Sequence, residues 1–177
     1  DIDNGVEKNI KLLSEAKGKK ISELQACVLK RPRHDNIVKD LEKLKVKINY
    51  ITDGDIAGAL SVIGDNPKND IYYSTGGAPE GVVVAAALSC YGGQLQGRLV
   101  LDNDEKLRAK KLGITNFEKK YNIDDMVKGD VIFCATGVTS SDLANGVKDL
   151  GNEFEVNTFA LHKSENIIKS VKNIYNK

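Results

Sequence analysis

The chain has no tryptophan, one methionine, two histidines, three prolines and three cysteines among 177 residues. It also lacks any apolar run near the roughly 18 residues a membrane-crossing helix requires. Its longest, Val82 to Leu88, falls far short, so no membrane partner is expected. Lys and Arg number 26 against 25 Asp and Glu, a net charge of +1. That leaves no basic excess to recruit nucleic acid or an anionic bilayer. No internal repeat and no low-complexity stretch is visible. Cys27, Cys90 and Cys134 are odd in number and far apart, each in an apolar run. They read as three buried free thiols of a reducing cytoplasm rather than a disulfide framework. His34 and His162 stand alone, so no cluster of zinc ligands is seen. There is no secretory signal. The chain opens Asp1-Ile2-Asp3-Asn4 without Met, which reads as a processed product or an excised segment.

What is present is ordinary for a globular chain: 41% hydrophobic and 29% charged residues. The length suits one domain, or one half of a two-lobed protein, with a core that needs no disulfide or metal. Val6, Ile10 and Leu13 predict an amphipathic helix from Gly5 to Lys17, capped by Asp3 or Asn4 and ended by Gly18. A strand–loop–helix pattern then recurs. The strands are Gln25–Leu29, Val46–Ile51, Asp70–Ser74 and Val131–Ala135. The helices carry Ile37, Leu41 and Leu44, then Ile56–Ile63, then Val82–Leu88, then Leu143–Val147. Between Arg98 and Val127 the pattern changes. Leu99–Leu101 reads as a strand, Glu105–Leu112 as a charged helix ended by Gly113, and Asn116 as the cap of a helix reaching Tyr121. Glu155–Leu161 reads as a strand, and Ile167, Val171 and Ile174 as the stripe of a final helix.

Strands alternating with helices predict an α/β fold, layered, with a mainly parallel or mixed sheet flanked by helices. Right-handed crossovers would place all four post-strand loops on one edge, where such sheets bind ligands. Those loops hold most of the chemically interesting residues. Lys30-Arg31-Pro32-Arg33-His34 puts guanidinium groups on either side of a stiff proline; it is either a phosphate-recognising loop or a solvated basic turn. Asp53-Gly54-Asp55 offers two carboxylates for a metal or for sugar hydroxyls, or else a turn and a helix cap. Gly76-Gly77-Ala78-Pro79-Glu80-Gly81 combines glycines that admit a close backbone with a proline suited to a first helical turn. Glu80 then complements the helix dipole or ligates a metal near phosphate. Thr136–Asp142 reads as a helix opening with Ser140 or Ser141 as cap. No histidine base accompanies these serines, so no hydrolase triad follows. The inventory suits phosphoryl transfer to water on a polyhydroxylated substrate, although Glu80, Asp53 and Asp55 are few acids for two metal ions. A nucleotide binder is disfavoured, because no G-x-G-x-x-G follows the first strand.

The strings Arg31-Pro-Arg-His34, Asp53-Gly-Asp-Ile-Ala-Gly58, Gly76-Gly-Ala-Pro-Glu-Gly-Val82, Gln96-Gly-Arg98 and Ala135-Thr-Gly-Val-Thr139 occur in order and in register. Together they resemble the C-terminal portion of class II fructose-1,6-bisphosphatase of the GlpX type, over Asp1 to Lys177. That family belongs to the lithium-sensitive, inositol-monophosphatase-like phosphatase superfamily. The resemblance implies a sugar-phosphatase fold and the C-terminal part of a two-lobed enzyme, with residues 1–24 as a linking helix and the N-terminal half absent. It implies metal-dependent hydrolysis of the 1-phosphate of fructose 1,6-bisphosphate to fructose 6-phosphate and phosphate, in gluconeogenesis and glycerol metabolism. It further implies Mg²⁺ or Mn²⁺, a cytoplasmic location and a homo-oligomeric full-length protein; some relatives also accept sedoheptulose 1,7-bisphosphate. By position, Glu80 corresponds to a metal ligand and Gly77 to a residue whose backbone approaches substrate. Asp53, Gly54 and Asp55 match the stretch that contacts the sugar, and Arg31, Pro32 and Arg33 the stretch that holds the distal phosphate. Arg31 stands where relatives carry Lys. Ser140-Ser141 stands where relatives often show an acid and a glycine, and no catalytic residue is assigned in this segment. The family's N-terminal half supplies most metal-binding acids, including a Trp-Asp-Gly-Thr-like string that this chain lacks. The isolated segment is therefore expected to be inactive. The alternative is a non-catalytic sugar-phosphate-binding module.

Overall fold

The computed structural model describes residues 1–177. Helix α1 is Gly5–Lys17, and it ends where Gly18 adopts φ 60° and returns its N–H to Glu15 and Ser14 carbonyls. The expected side-chain cap is absent at Asn4; Asp1 caps the short turn before it, accepting from the Asp3 N–H. Then come β1 Gln25–Leu29, α2 Asp35–Lys43, β2 Lys47–Ile51, α3 Asp55–Leu60, β3 Ile71–Tyr73 and α4 Ala78–Tyr91. The three strands form a parallel sheet in the order β2-β1-β3, with Ala26 opposite Ile48 on one side and Ile71 on the other.

Alternation along β1 serves both faces. Ala26 and Val28 join Ile10 of α1, Leu24, Leu41 of α2 and Val46 in one core cluster. Cys27 faces the other way, toward Gly58 of α3. The second cluster lies beyond α3 and α4: Ala59, Leu60, Val84, Ala87 and Leu88 pack with Phe133 and Leu161. These last two belong to a separate antiparallel sheet. In it β8 Glu153–His162 is central, β9 Ile167–Asn176 lies along one side, and β6 Ile132–Thr136 and β7 Lys148–Asp149 share the other. The layers thus run α1 and α2, parallel sheet, α3 and α4, antiparallel sheet. Helix α4 buries Val84, Ala85, Ala87 and Leu88, whereas Val82 and Val83 near its start stay exposed. The antiparallel sheet's far face, with Ile132 70% exposed, is covered by no other element of the chain. No helix is long and apolar enough to cross a membrane.

Two expectations fail here. The fourth strand–loop–helix unit does not join the parallel sheet, and Leu143–Val147 is not helical. After β6 the chain doubles back instead: Val147 N–H donates to Val138, and Gly146 N–H donates to Ser140 Oγ. Gly137 and Gly146 permit this, since a Cβ on either would overlap backbone across the fold-back. Ser140 and Ser141 therefore stabilise a loop rather than cap a helix. The expected C-terminal helix is also a strand. Ile167, Val171 and Ile174 have helical spacing, but β9 pairs along all ten residues of β8, and β-branched side chains favour that state. Asn166, at φ 51°, closes the hairpin.

The segment from Gln96 also differs from expectation. Leu99–Leu101 forms no strand; the short pair is β4 Gln96–Gly97 with β5 Tyr121–Asn122. Helix α5 is Asn103–Lys111, opened by an Asp102–Glu105 capping box, and α6 is the brief turn Ile123–Met126 rather than a helix before Tyr121. Arg98 of the Gln96-Gly-Arg98 string is a tie: it donates to Glu118 O and pairs with Asp3 at 2.8 Å. The three thiols are free, but only Cys27 is buried; Cys90 is half-buried and Cys134 exposed. On β6, Phe133 faces the core, so Cys134 must face out with Ile132 and Thr136. Burial pushes the Cys27 and Cys90 thiols up.

Two stability predictions follow from this packing. The Asp70 side chain, 5% exposed, accepts from Lys17, Lys19 and the Gln25 N–H, tying the end of α1 to the start of β1. Burial opposes its charge, yet these donors outweigh burial and hold its pKa at about 2. The depressed value means stability that is present above about pH 4 and lost as pH falls toward 2. Asp70→Asn should cost about 2 kcal/mol at pH 7, and the two proteins' urea midpoints should converge as pH approaches 2. Separately, a Cβ on Gly58 would lie 2.5 Å from Ile51 Cδ1 and 3.0 Å from Tyr72 Cε2. Gly58→Val should therefore overpack the α3–sheet contact by about 1–3 kcal/mol in denaturant unfolding.

Candidate functional site

Parallel strands β2, β1 and β3 end on one edge, and each feeds a loop into a helix there. From β1 comes Lys30–His34, from β2 Thr52–Asp55, and from β3 Ser74–Gly77. The edge also holds a reversal of strand order, because β2 and β3 lie on opposite sides of β1. Such a switch point opens a crevice between diverging loops.

In the first loop Arg31 is extended, and Pro32–His34 makes one tight turn with His34 N–H donating to Arg31 O. Proline's fixed φ suits that turn. Arg31, Pro32 and Arg33 are exposed, whereas His34 is 1% exposed. The His34 Nδ1–H donates to Leu29 O at 2.6 Å, and Nε2 accepts the Thr75 N–H at 2.8 Å. The acceptor role of Nε2 fixes the neutral ring with its proton on Nδ1. Arg33 Nε–H donates to Thr75 O at 2.7 Å.

In the second loop Gly54 caps α3 at φ 83°, a left-handed conformation that favours glycine, and Asp53 accepts its N–H. Asp55 is thus the first residue of α3, not its cap. Its carboxylate lies over Gly76 of the third loop: a Cβ there would sit 2.8 Å from Asp55 Oδ2. Gly77 is the extended cap of α4, followed by Ala78, Pro79 and Glu80 in the first turn. The Glu80 side chain bends back over Gly77, filling the space a Cβ would need. Two carboxylates therefore flank Gly76–Gly77, and the first exposed N–H groups of α4 open beside them. Beneath, burial pushes the Tyr72 phenol up to about 12, and the Asp55 carboxylate adds to it.

All eight residues expected to form the site, Arg31, Pro32, Arg33, Asp53, Gly54, Asp55, Gly77 and Glu80, thus lie at this one edge, Asp55 and Glu80 in the first turns of α3 and α4 and the others on the loops. The fourth loop does not; Thr136–Asp142 follows a strand of the other sheet and is joined to the loop before β3 by the Lys68–Asp142 ion pair. The buried clamp by His34 was not read from the sequence, although the histidine closing the Arg-Pro-Arg-His string was its one signal. His162 meets Asp130 at 2.7 Å, and Ser164 Oγ donates to the same carboxylate oxygen at 2.8 Å. Serine and aspartate share one ring nitrogen, so this cluster staples a hairpin and is not a nucleophile relay. The Ser164 and His162 hydrogen bonds hold the Asp130 carboxyl well below its ordinary range. No three acidic, histidine or cysteine side chains come together to hold a metal ion. Glu80 and Asp55 offer hard oxygen donors on this edge.

Compared with known proteins, residues 1–175 match the family model described as bacterial fructose-1,6-bisphosphatase, glpX-encoded. The chain is 32% identical over 189 residues to the Haemophilus influenzae protein named fructose-1,6-bisphosphatase class 2, covering 99% of this chain and 57% of that one. It is 34% identical over 182 residues to the Escherichia coli K12 protein named fructose-1,6-bisphosphatase 1 class 2, covering 94% of this chain and 54% of that one. The chain thus spans about half the length of the curated relatives it matches.

Proposed function

Because the chain belongs to the glpX-encoded family of bacterial fructose-1,6-bisphosphatases, we propose that it is the substrate-holding portion of a metal-dependent sugar-bisphosphate phosphatase. The proposed reaction is hydrolysis of the 1-phosphate of fructose 1,6-bisphosphate, giving fructose 6-phosphate and phosphate. The observation that carries this reading is the convergence of a cationic, an acidic and a glycine-rich loop on one sheet edge. Exposed Arg31 and Arg33 would grip the phosphate that is not cleaved, with Pro32 stiffening their loop. Asp53 and Asp55 would accept hydrogen bonds from sugar hydroxyls, and Gly54 sets the turn that presents them. Gly77 lets substrate approach the backbone at the start of α4. Glu80 would give one ligand to a divalent ion, Mg²⁺ or Mn²⁺, whose remaining ligands come from outside these residues. Such an ion, when bound, neutralises charge on the transferred phosphoryl group. A cytoplasmic, gluconeogenic, homo-oligomeric enzyme with an inositol-monophosphatase-like arrangement of its layers completes the proposal.

The absence of three clustered ligands favours a second reading, a sugar-phosphate-binding module without catalysis. Phosphate release by a longer protein separates the two. Purified residues 1–177 should bind fructose 1,6-bisphosphate weakly and release no measurable phosphate with Mg²⁺ or Mn²⁺, because too few acids are present to fix a metal site. Robust turnover, abolished by Asp53→Asn or Asp55→Asn, would show a complete site here and overturn the division of labour. In a longer protein carrying the remaining acids, Glu80→Gln should keep the fold by circular dichroism. It should lose at least a hundredfold in kcat, equivalent to about 3 kcal/mol of barrier. Near-normal kcat at saturating metal would remove Glu80 from the metal shell. An active longer protein rules out the binding-module reading; an inactive one with every family acid present supports it.

A further inference from the structure

Thr75 is held in an unusual way. Its N–H donates to buried His34 and its carbonyl accepts from Arg33, so one loop grips both polar groups of a single residue in another. Ladder support ends just before it. Strand β3 pairs with β1 only as far as Val28 opposite Tyr73, and beyond that the two chains diverge. Gly76 and Gly77 have no side chains with which to anchor themselves. What fixes the glycine loop relative to the sheet is therefore the grip on Thr75, and His34 is itself fixed by Leu29 O at the end of β1.

Arg33 enters this grip with only part of its guanidinium. Its Nε–H is committed to Thr75 O, it forms no ion pair, and its two Nη groups find no acceptor in the protein. Those groups are free for an anion, and a planar guanidinium engaged on one edge is oriented for a second partner on the other. An anion on Nη would immobilise the same side chain that holds Thr75.

From this we infer that His34 is a positioning residue and that Arg33 and His34 together form a clamp which couples the phosphate-gripping loop to the loop bearing Gly77 and Glu80. The inference rests on the sugar-bisphosphate reading of the site. Binding of the distal phosphate tightens the clamp, which sets the Gly77 backbone and the Glu80 carboxylate in place. Affinity for the distant phosphate is thereby converted into order at the reacting end.

The test uses residues 1–177 in solution by NMR. Long-range ¹⁵N–¹H correlation should show the His34 ring protonated at Nδ1 and bare at Nε2; the opposite tautomer or a doubly protonated ring overturns the clamp without needing any variant. His34→Ala should speed exchange of the Thr75 amide proton at least tenfold while the Cys27 and Val28 amides of the central strand keep their rates. His34→Gln, whose carbonyl restores an acceptor, should recover most of that protection. An unchanged Thr75 rate in a folded His34→Ala protein overturns the proposal. Fructose 1,6-bisphosphate should slow Thr75 exchange further in the unsubstituted chain, and fructose, which carries no phosphate, should not. Equal protection by both ligands overturns the coupling through Arg33. If the bisphosphate does not bind, the reading of the site fails and the coupling with it. The tautomer and the His34→Ala exchange result then still decide the clamp independently.

Discussion

Everything at the candidate site depends on β1 being paired on both sides. A central parallel strand must bury both faces, and Gln25–Leu29 does so with small and branched residues, Ala26 and Val28 toward α1 and α2 and Cys27 toward α3. Because β2 and β3 flank it in parallel, their carboxyl ends, and the loops leaving them, have no choice but to gather on one edge. Slipping either register by one residue would turn the whole alternate set from one core into the other. The site is in this sense a by-product of core packing. Residues with no role in chemistry determine where Arg31, Asp53 and Gly77 stand.

A second constraint is the closeness of α3 to the sheet. Gly58 lets the helix approach until Ile51 and Tyr72 fill the gap, and this brings Asp55 at the helix start against Gly76 of the neighbouring loop. The Asp53–Gly58 string thus has two jobs at its two ends: acids at the rim and a contact glycine one turn below. Candidate site and packing thus share one short helix.

Much of this was legible in the sequence where the physical signal was local and unambiguous. Helix α1 was found to the residue because Gly18 offers a left-handed stop after a clear apolar stripe. The first three strand–loop–helix units, and with them the whole edge of candidate residues, were readable from alternation of apolar runs with glycine- and charge-bearing loops. What failed were patterns that two structures can satisfy. Ile167, Val171 and Ile174 fit a helical stripe, yet Ile167 and Val171 also sit at even spacing along a strand; only β8, a tertiary partner, decides. Leu143 and Val147 repeat the mistake, since the fold-back depends on Gly137 and Gly146 meeting backbone across the loop, a long-range contact with no periodic trace. His34 was hidden for a different reason: a histidine engaged by two backbone groups looks, in sequence, like any other residue of a basic turn.

The distribution of charge along the edge bears on how substrate would lie there. Asp55 and Glu80 stand on either side of Gly76–Gly77, and two carboxylates are a hostile place for a phosphate dianion at close range. The N–H groups that open α4 attract anions, but a partial charge of about half a unit does not offset two full negative charges. Arg31 and Arg33, on the adjoining loop, carry the only arginine guanidinium groups on this edge. A phosphate bound by this chain alone should therefore settle on the arginine loop, and the sugar should extend from it toward the acids. A second phosphate reaching Gly77 needs positive charge that these residues do not contain. On the proposed reading, the edge is thus electrostatically incomplete toward the phosphate that would react, and complete toward the one that would only be held. That asymmetry is what a division of labour with acid ligands and a divalent ion supplied from elsewhere requires. It also gives the Thr75 clamp its physical purpose, since the end that can bind first is the end that must organise the other.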